Sequence, residues 1–282
     1  MKKIFWIFIF MFSLANCYEM KTILGFKNPK GIFANENVVF VSNIGEKTNF
    51  LIKDKGGFIS KLSKNGDMIE EKFIIGLDRP TELTQIENTL FVLDIDKIKA
   101  FDARTGEQIF ELFINSRSDL NGIKKLNENA LLVGDLRNSI LYKIDLQTRT
   151  YEEFLKLNTN KFGNLRDFAL DFANNKLYIL GHDEENTNTI ISIYDLNNKN
   201  IKIFKEEKND YNAMILYENM VLLSALDENL DGKIYRLNLN NKKSEALKLN
   251  NIQTPSGMFL DNEILWLTIL TQAKVLRIIF KN

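Results

Sequence analysis

Six times along the chain, a two-residue turn of Asp, Glu or Asn separates two apolar runs: Glu36-Asn37, Glu87-Asn88, Glu128-Asn129, Asn174-Asn175, Glu218-Asn219 and Asp261-Asn262. The intervals are 51, 41, 46, 44 and 43 residues, a spacing that marks a stacked or radial repeat. A short β-branched or aromatic run follows each turn, from Val38-Val39-Phe40-Val41 to Ile264-Leu265-Trp266-Leu267. Such runs, bounded by Asn/Asp turns, read as buried strands and are too short for helices. A second series follows in phase and alternates apolar with polar residues, as in Leu141-Tyr142-Lys143-Ile144-Asp145. Alternation of this kind suits strands with one face covered and one partly wet. A more polar fourth run, such as Gln108-Ile109-Phe110-Glu111-Leu112-Phe113, completes the unit.

Four antiparallel strands per unit, six times over, predict an all-β, six-bladed β-propeller. The sequence reaches Asn282 after only three strands of the sixth blade. A strand at about residues 19–26 is expected to supply the fourth and close the ring, which leaves no open blade edge. Residues 18–282 therefore read as one domain without linkers or a helical region.

The segment before it reads as an address. Met1-Lys2-Lys3 precedes an apolar run from Ile4 to Phe12, and Leu14-Ala15-Asn16-Cys17 follows. A basic start, a short apolar stretch and a small-residue exit form a secretory signal peptide over residues 1–17. The run is well short of the ~20 residues that span a bilayer. The ending resembles a bacterial lipobox, with Asn16 where Ala, Gly or Ser is usual. That resemblance implies that Cys17 is lipidated and that the protein sits on the periplasmic side of the cell envelope, touching the membrane only through its anchor. A plain cleaved signal with an incidental Cys17 is the alternative.

Composition narrows the chemistry. Lys and Arg together number 37 against 37 Asp and Glu, so no basic excess exists to neutralise nucleic-acid phosphates. One His and one Cys exclude a Cys/His zinc cage within one chain and an intramolecular disulfide. No phosphate-binding loop is present, since Gly45-Glu46-Lys47-Thr48 lacks the glycine cradle. No Gly-x-Ser-x-Gly elbow nominates a serine nucleophile.

Short motifs carry a family resemblance. Asp135-Leu136-Arg137-Asn138-Ser139-Ile140-Leu141-Tyr142-Lys143-Ile144-Asp145 resembles an NHL-type repeat. Leu120-Asn121-Gly122-Ile123 and Pro255-Ser256-Gly257-Met258 resemble blade starts of the SMP-30/gluconolactonase family. In such propellers the first strand of each blade begins at one channel rim, and the loops joining second and third strands share it. Gly31, Glu82, Asn121, Asp167, Asn212 and Ser256 then mark that rim, and Arg137, Arg166, Asn212, Ser256 and His182 are its ligand-binding candidates. His182, in a polar Gly181-His182-Asp183-Glu184-Glu185 stretch, reads as an exposed loop residue.

The SMP-30 resemblance implies a divalent cation held by Glu, Asn and Asp from different blades, which makes Glu82, Asn121 and Asp167 the candidate catalytic set of a metal-dependent lactone hydrolase. The sequence departs from that pattern at Thr254-Pro255-Ser256-Gly257, which lacks a carboxylate, and at Phe168, where the family has Gly. A second metal candidate rests on spacing: Asp227, Asn229, Asp231 and Gly232 match the first half of a Ca²⁺ loop. Asn238 stands where its bidentate Glu belongs, and a plain polar turn is the alternative. In the first blade, the loop at residues 43–57 places Phe50, Leu51 and Ile52 among Lys47, Lys53 and Lys55. That is either a partner or membrane contact or a segment folded back on its blade.

With a complete repeat set and no complete catalytic constellation, the reading is a monomeric binding module or scaffold for an envelope protein or small molecule. The lactone hydrolase is the alternative.

Overall fold

The structure, a computed structural model, describes residues 17–47, 53–115, 117–226, 231–249 and 252–281. Residues 1–16 of the expected signal peptide, Phe50 to Ile52, Asp227 and Asn229 lie outside them.

Strand β1 (Cys17–Leu24) comes first. The first blade is β2 (Pro29–Ala34), β3 (Val38–Asn43), β4 (Gly57–Ser63) and β5 (Met68–Leu77). The second is β6 (Pro80–Ile86), β7 (Thr89–Asp94), β8 (Lys97–Asp102) and β9 (Gln108–Phe113). The third is β10 (Leu120–Asn127), β11 (Ala130–Asp135), β12 (Ile140–Asp145) and β13 (Thr150–Lys156). One helical turn, α1 (Thr159–Phe162), precedes the fourth: β14 (Asn164–Asp171), β15 (Lys176–Asp183), β16 (Asn188–Asp195) and β17 (Ile201–Glu207). The fifth is β18 (Asp210–Tyr217), β19 (Met220–Leu226), β20 (Gly232–Asn238) and β21 (Ser244–Ala246). The sixth has β22 (Pro255–Asp261), β23 (Ile264–Ile269) and β24 (Lys274–Lys281). Strand β1 pairs antiparallel with β24 and completes it, in the sheet order β1-β24-β23-β22. This is the six-bladed, all-β propeller closed by its N-terminal strand. The closing strand starts and stops two residues earlier than the sequence suggested, ending at Leu24 just before Gly25, whose φ of 101° suits glycine.

Physical causes are readable blade by blade. Second strands such as β11 are buried along their whole length because each blade is covered on both faces by its neighbours. Fourth strands such as β5 and β13 are largely exposed at the periphery. Six apolar clusters fill the interfaces between adjacent blades. The one that seals the ring joins Ile23, Trp266 and Val275 to Val39, Val41 and Leu62. The recurring turns work in two ways. Glu87, Asn175, Glu218 and Asn262 take left-handed backbone with φ of 50–54°, whereas Asn35 and Asn127 accept backbone N–H bonds through their side chains.

Two findings depart from the sequence reading. A helical turn exists at Thr159–Phe162, where Asn158 O accepts the N–H groups of Lys161 and Phe162 and the Phe162 side chain is buried. Every inner strand also carries a β-bulge near its start. Pairing with the second strand slips by one residue between Pro29 and Ile32, Pro80 and Leu83, Leu120 and Ile123, Leu165 and Asp167, Tyr211 and Ala213, and Pro255 and Gly257. Six equivalent bulges give the inner strands a common twist and re-aim the same positions in every blade.

Candidate channel site

The bulges set two layers of residues around the channel. The first residue after the opening pair is Lys30, Thr81, Asn121, Arg166, Asn212 or Ser256. The next is Gly31, Glu82, Gly122, Asp167, Ala213 or Gly257. That second position points at the following blade. A Cβ on Gly31 would lie 2.3 Å from Thr81 O, and one on Gly257 2.2 Å from Lys30 O, distances that admit only glycine. Glu82 and Asp167 are the two long side chains in this layer, and each reaches the next blade. Glu82 Oε2 lies 3.5 Å from Lys124 Nζ, while Asp167 Oδ2 accepts the Met214 N–H at 2.8 Å. Asp167 Oδ1 accepts the Phe168 N–H at 2.8 Å.

Lys30, Glu82, Lys124 and Asp167, from four successive blades, form a charged layer across the channel. Burial pushes the Asp167 carboxyl up to about 6; Glu82 pushes the same way, against Lys124 and the two N–H donors. Burial pulls the Lys124 ammonium down, but the charges of Glu82 and Asp167 outweigh it and hold the pKa above the usual lysine value. Lys30 is depressed, chiefly by burial, with Glu82 acting against the shift. Its Nζ donates to Ser256 O at 3.3 Å. Two cations and two carboxylates offset one another.

Beyond this layer, toward the ends of the inner strands, the channel widens into a cavity of about 280 Å³ lined by all six blades. Its walls are Phe33, Leu170, Met214, Ile215, Leu216, Met258, Phe259 and Leu260, with Phe172 at the mouth and Glu82 and Lys124 among the polar lining. Phe33 and Phe259 meet edge to face, with ring centroids 4.9 Å apart. Phe172 is 57% exposed. The cavity opens at the rim opposite the one where the inner strands begin.

Of the sequence candidates, Glu82 lines the cavity and Asp167 sits in the charged layer. Asn121, Arg166, Asn212 and Ser256 lie on the bulges at the start rim. Ser256 Oγ is bonded to Pro29 O and Thr268 and locks the sixth blade to the first. Arg137 is exposed in the turn after β11. Asp231 forms a bridge with Gln253. Cys17 opens β1, paired with Lys281. His182 is a correction: it lies buried within β15 rather than on an exposed loop, because β15 runs on to Asp183 and Gly163 packs against the His182 backbone. Its Nδ1 lies 3.4 Å from Asp210 Oδ1 without forming a good hydrogen bond. Asp135, from the NHL-like stretch, is buried. It accepts the Asp119 N–H and binds Asn138, a structural clasp at the third blade's start.

Sequence reading missed Lys30, Lys124, Phe33 and Phe259. Aligning the repeats would have exposed Lys124, which occupies the place held by Phe33, Thr84, Ala169, Ile215 and Phe259 in the other blades.

The Glu82–Asn121–Asp167 set does not fit a divalent cation. Asp167 already accepts two backbone N–H bonds, and Lys30 and Lys124 crowd both carboxylates. Among the described residues, no group of three or more His, Cys, Asp or Glu is placed to hold a metal.

No protein-family model matches the sequence, and no curated protein matches it. Solved structures do resemble it. Virginiamycin B lyase from Staphylococcus aureus superposes with a TM-score of 0.65 at 15% identity, over 94% of this chain and 100% of that one. A protein of unknown function from Bacteroides thetaiotaomicron gives 0.69 at 10%, over 94% and 76%. Kuenenia stuttgartiensis hydrazine synthase gives 0.61 at 13%, over 89% and 76%. The likeness is one of fold. Chains so distant share an architecture on which unrelated functions are built.

Proposed function

We propose that this propeller is an exported binding module, anchored through a lipid on Cys17 to the periplasmic side of the envelope, which takes a small amphipathic molecule into its channel. The observation that carries the reading is the cavity lined by all six blades, with apolar walls and the Glu82–Lys124 pair among its polar groups. An apolar cleft with few, convergent polar groups is the usual form of a ligand site, and about 280 Å³ lies just below the usual ~300–1,000 Å³ range. The apolar part of the ligand packs against Phe33, Ile215, Phe259 and Leu260, and its polar group meets Glu82 and Lys124.

The strand register supports the anchoring geometry. Asp261, Ile264, Ile279 and Glu19 stand side by side across the sixth blade. Cys17 is therefore just past the inner-strand ends, on the rim where the cavity opens. An anchored Cys17 turns the cavity mouth toward the membrane. The reading is tested by titrating a fluorescent apolar probe such as anilinonaphthalene sulfonate into the wild type and an Ile215→Trp variant that fills the cavity. Saturable binding that disappears in the variant supports it. Equal binding by both refutes the cavity as the site.

A further inference from the structure

The opposite mouth of the channel carries a different chemistry. Lys30, Asn121, Arg166, Asn212 and Ser256 are bulge residues at equivalent places, and all five are partly buried. Lys30 and Ser256 are engaged with each other's blades. Asn121, Arg166 and Asn212, on the consecutive inner strands β10, β14 and β18, are not. Arg166 Nε and Asn121 Oδ1 are buried without a hydrogen-bond partner, and no carboxylate pairs with the Arg166 guanidinium among the described residues. Nearby charges are already balanced. Lys30 and Lys124 face Glu82 and Asp167, and Arg79 lies 3.4 Å from Asp119. Among the described residues, Arg166 is the channel cation left without a carboxylate partner.

A buried guanidinium nitrogen and a buried amide atom left unbonded are costly and call for an explanation, which an ion or ligand can supply. A planar fork of N–H donors flanked by two carboxamides is complementary to an oxyanion, which it grips through paired charge-assisted hydrogen bonds. We infer that Asn121, Arg166 and Asn212 form a receptor for the carboxylate or phosphate group of a small anion at the start rim of the channel. The charged layer of Glu82, Lys124 and Asp167 separates this site from the apolar cavity, so it stands independently of the ligand proposed there.

The test is isothermal titration calorimetry of the full chain in detergent with succinate and with inorganic phosphate, at ionic strength matched by chloride. At least one binds the wild type, and which one identifies the group recognised. Arg166→Gln weakens that binding tenfold or more, and Asn212→Ala weakens it less. Arg104→Gln, at the far rim, leaves it unchanged. Because the guanidinium holds no internal partner, Arg166→Leu melts no lower than the wild type, which separates lost binding from lost structure. Heat from neither anion, or an Arg166→Gln protein that binds as the wild type does, overturns the proposal.

Discussion

Lys124 Nζ and Glu82 Oε2 lie 3.5 Å apart across the interface between the third and second blades, with side chains 26% and 15% exposed. The pair borders the apolar cavity and, with Lys30 and Asp167, closes the channel. Replacing Glu82 by Gln removes the charge that raises both Lys124 and Asp167. The Asp167 carboxyl should then titrate below its wild-type value of about 6. Carbon-13 NMR of the Asp167 side chain measures this directly, and an unmoved titration contradicts the charged layer described above.

Asp167 also sets a pH dependence. Its folded pKa of about 6 stands above the ordinary 3.8, so the native state binds more protons than the unfolded chain between those values. The stability from this group is fully present below about pH 4 and is lost as pH rises through about 6. Urea unfolding at a series of pH values should show that loss in the wild type and a flatter profile in Asp167→Asn. Identical profiles for the two proteins refute the assignment.

In the second blade, Lys99 Nζ lies 2.7 Å from Asp94 Oδ2, and both side chains are buried. Asp94 also accepts the N–H groups of Asp78 and Arg79, tying the start of β6 to the end of β7. Lys99→Met strands the carboxylate in the interior and should cost about 3–5 kcal/mol, the usual price of breaking a buried pair from one side. Chemical denaturation checks this, and a loss below about 1 kcal/mol, the level of a surface pair, contradicts it.

Ile95 follows Asp94 with φ of 58°, a left-handed backbone that a β-branched residue adopts only at a cost. Asn tolerates this conformation, so Ile95→Asn should stabilise the protein by about 1 kcal/mol despite some lost apolar burial. A rise in the thermal midpoint is the expected readout, and a fall would show that Ile95 packing outweighs its strain.

The repeats were legible because each turn pair, such as Glu87-Asn88, sits between runs whose periodicity is fixed by burial on both faces of a blade. The closing strand was legible because the sixth blade shows only three strand-like runs, while one more run at about residues 19–26 precedes the first blade. The bulges were not, since one extra residue after Pro29 or Leu165 leaves the apolar pattern intact on either side. Their effect is to send Glu82 and Asp167 to the next blade and to leave Arg166 beside the channel. His182 was misread because a polar stretch resembles a loop, while its burial comes from Gly163, nineteen positions earlier and adjacent only after folding.

The most direct test of the binding-module account is native mass spectrometry of the full chain purified gently from cells that produce it, beside an Ile215→Trp variant prepared in the same way. The account predicts a bound small molecule on the wild type that is absent from the variant. A wild-type protein that carries no adduct, and takes up none when exposed to a small-molecule extract of the same cells, would contradict it.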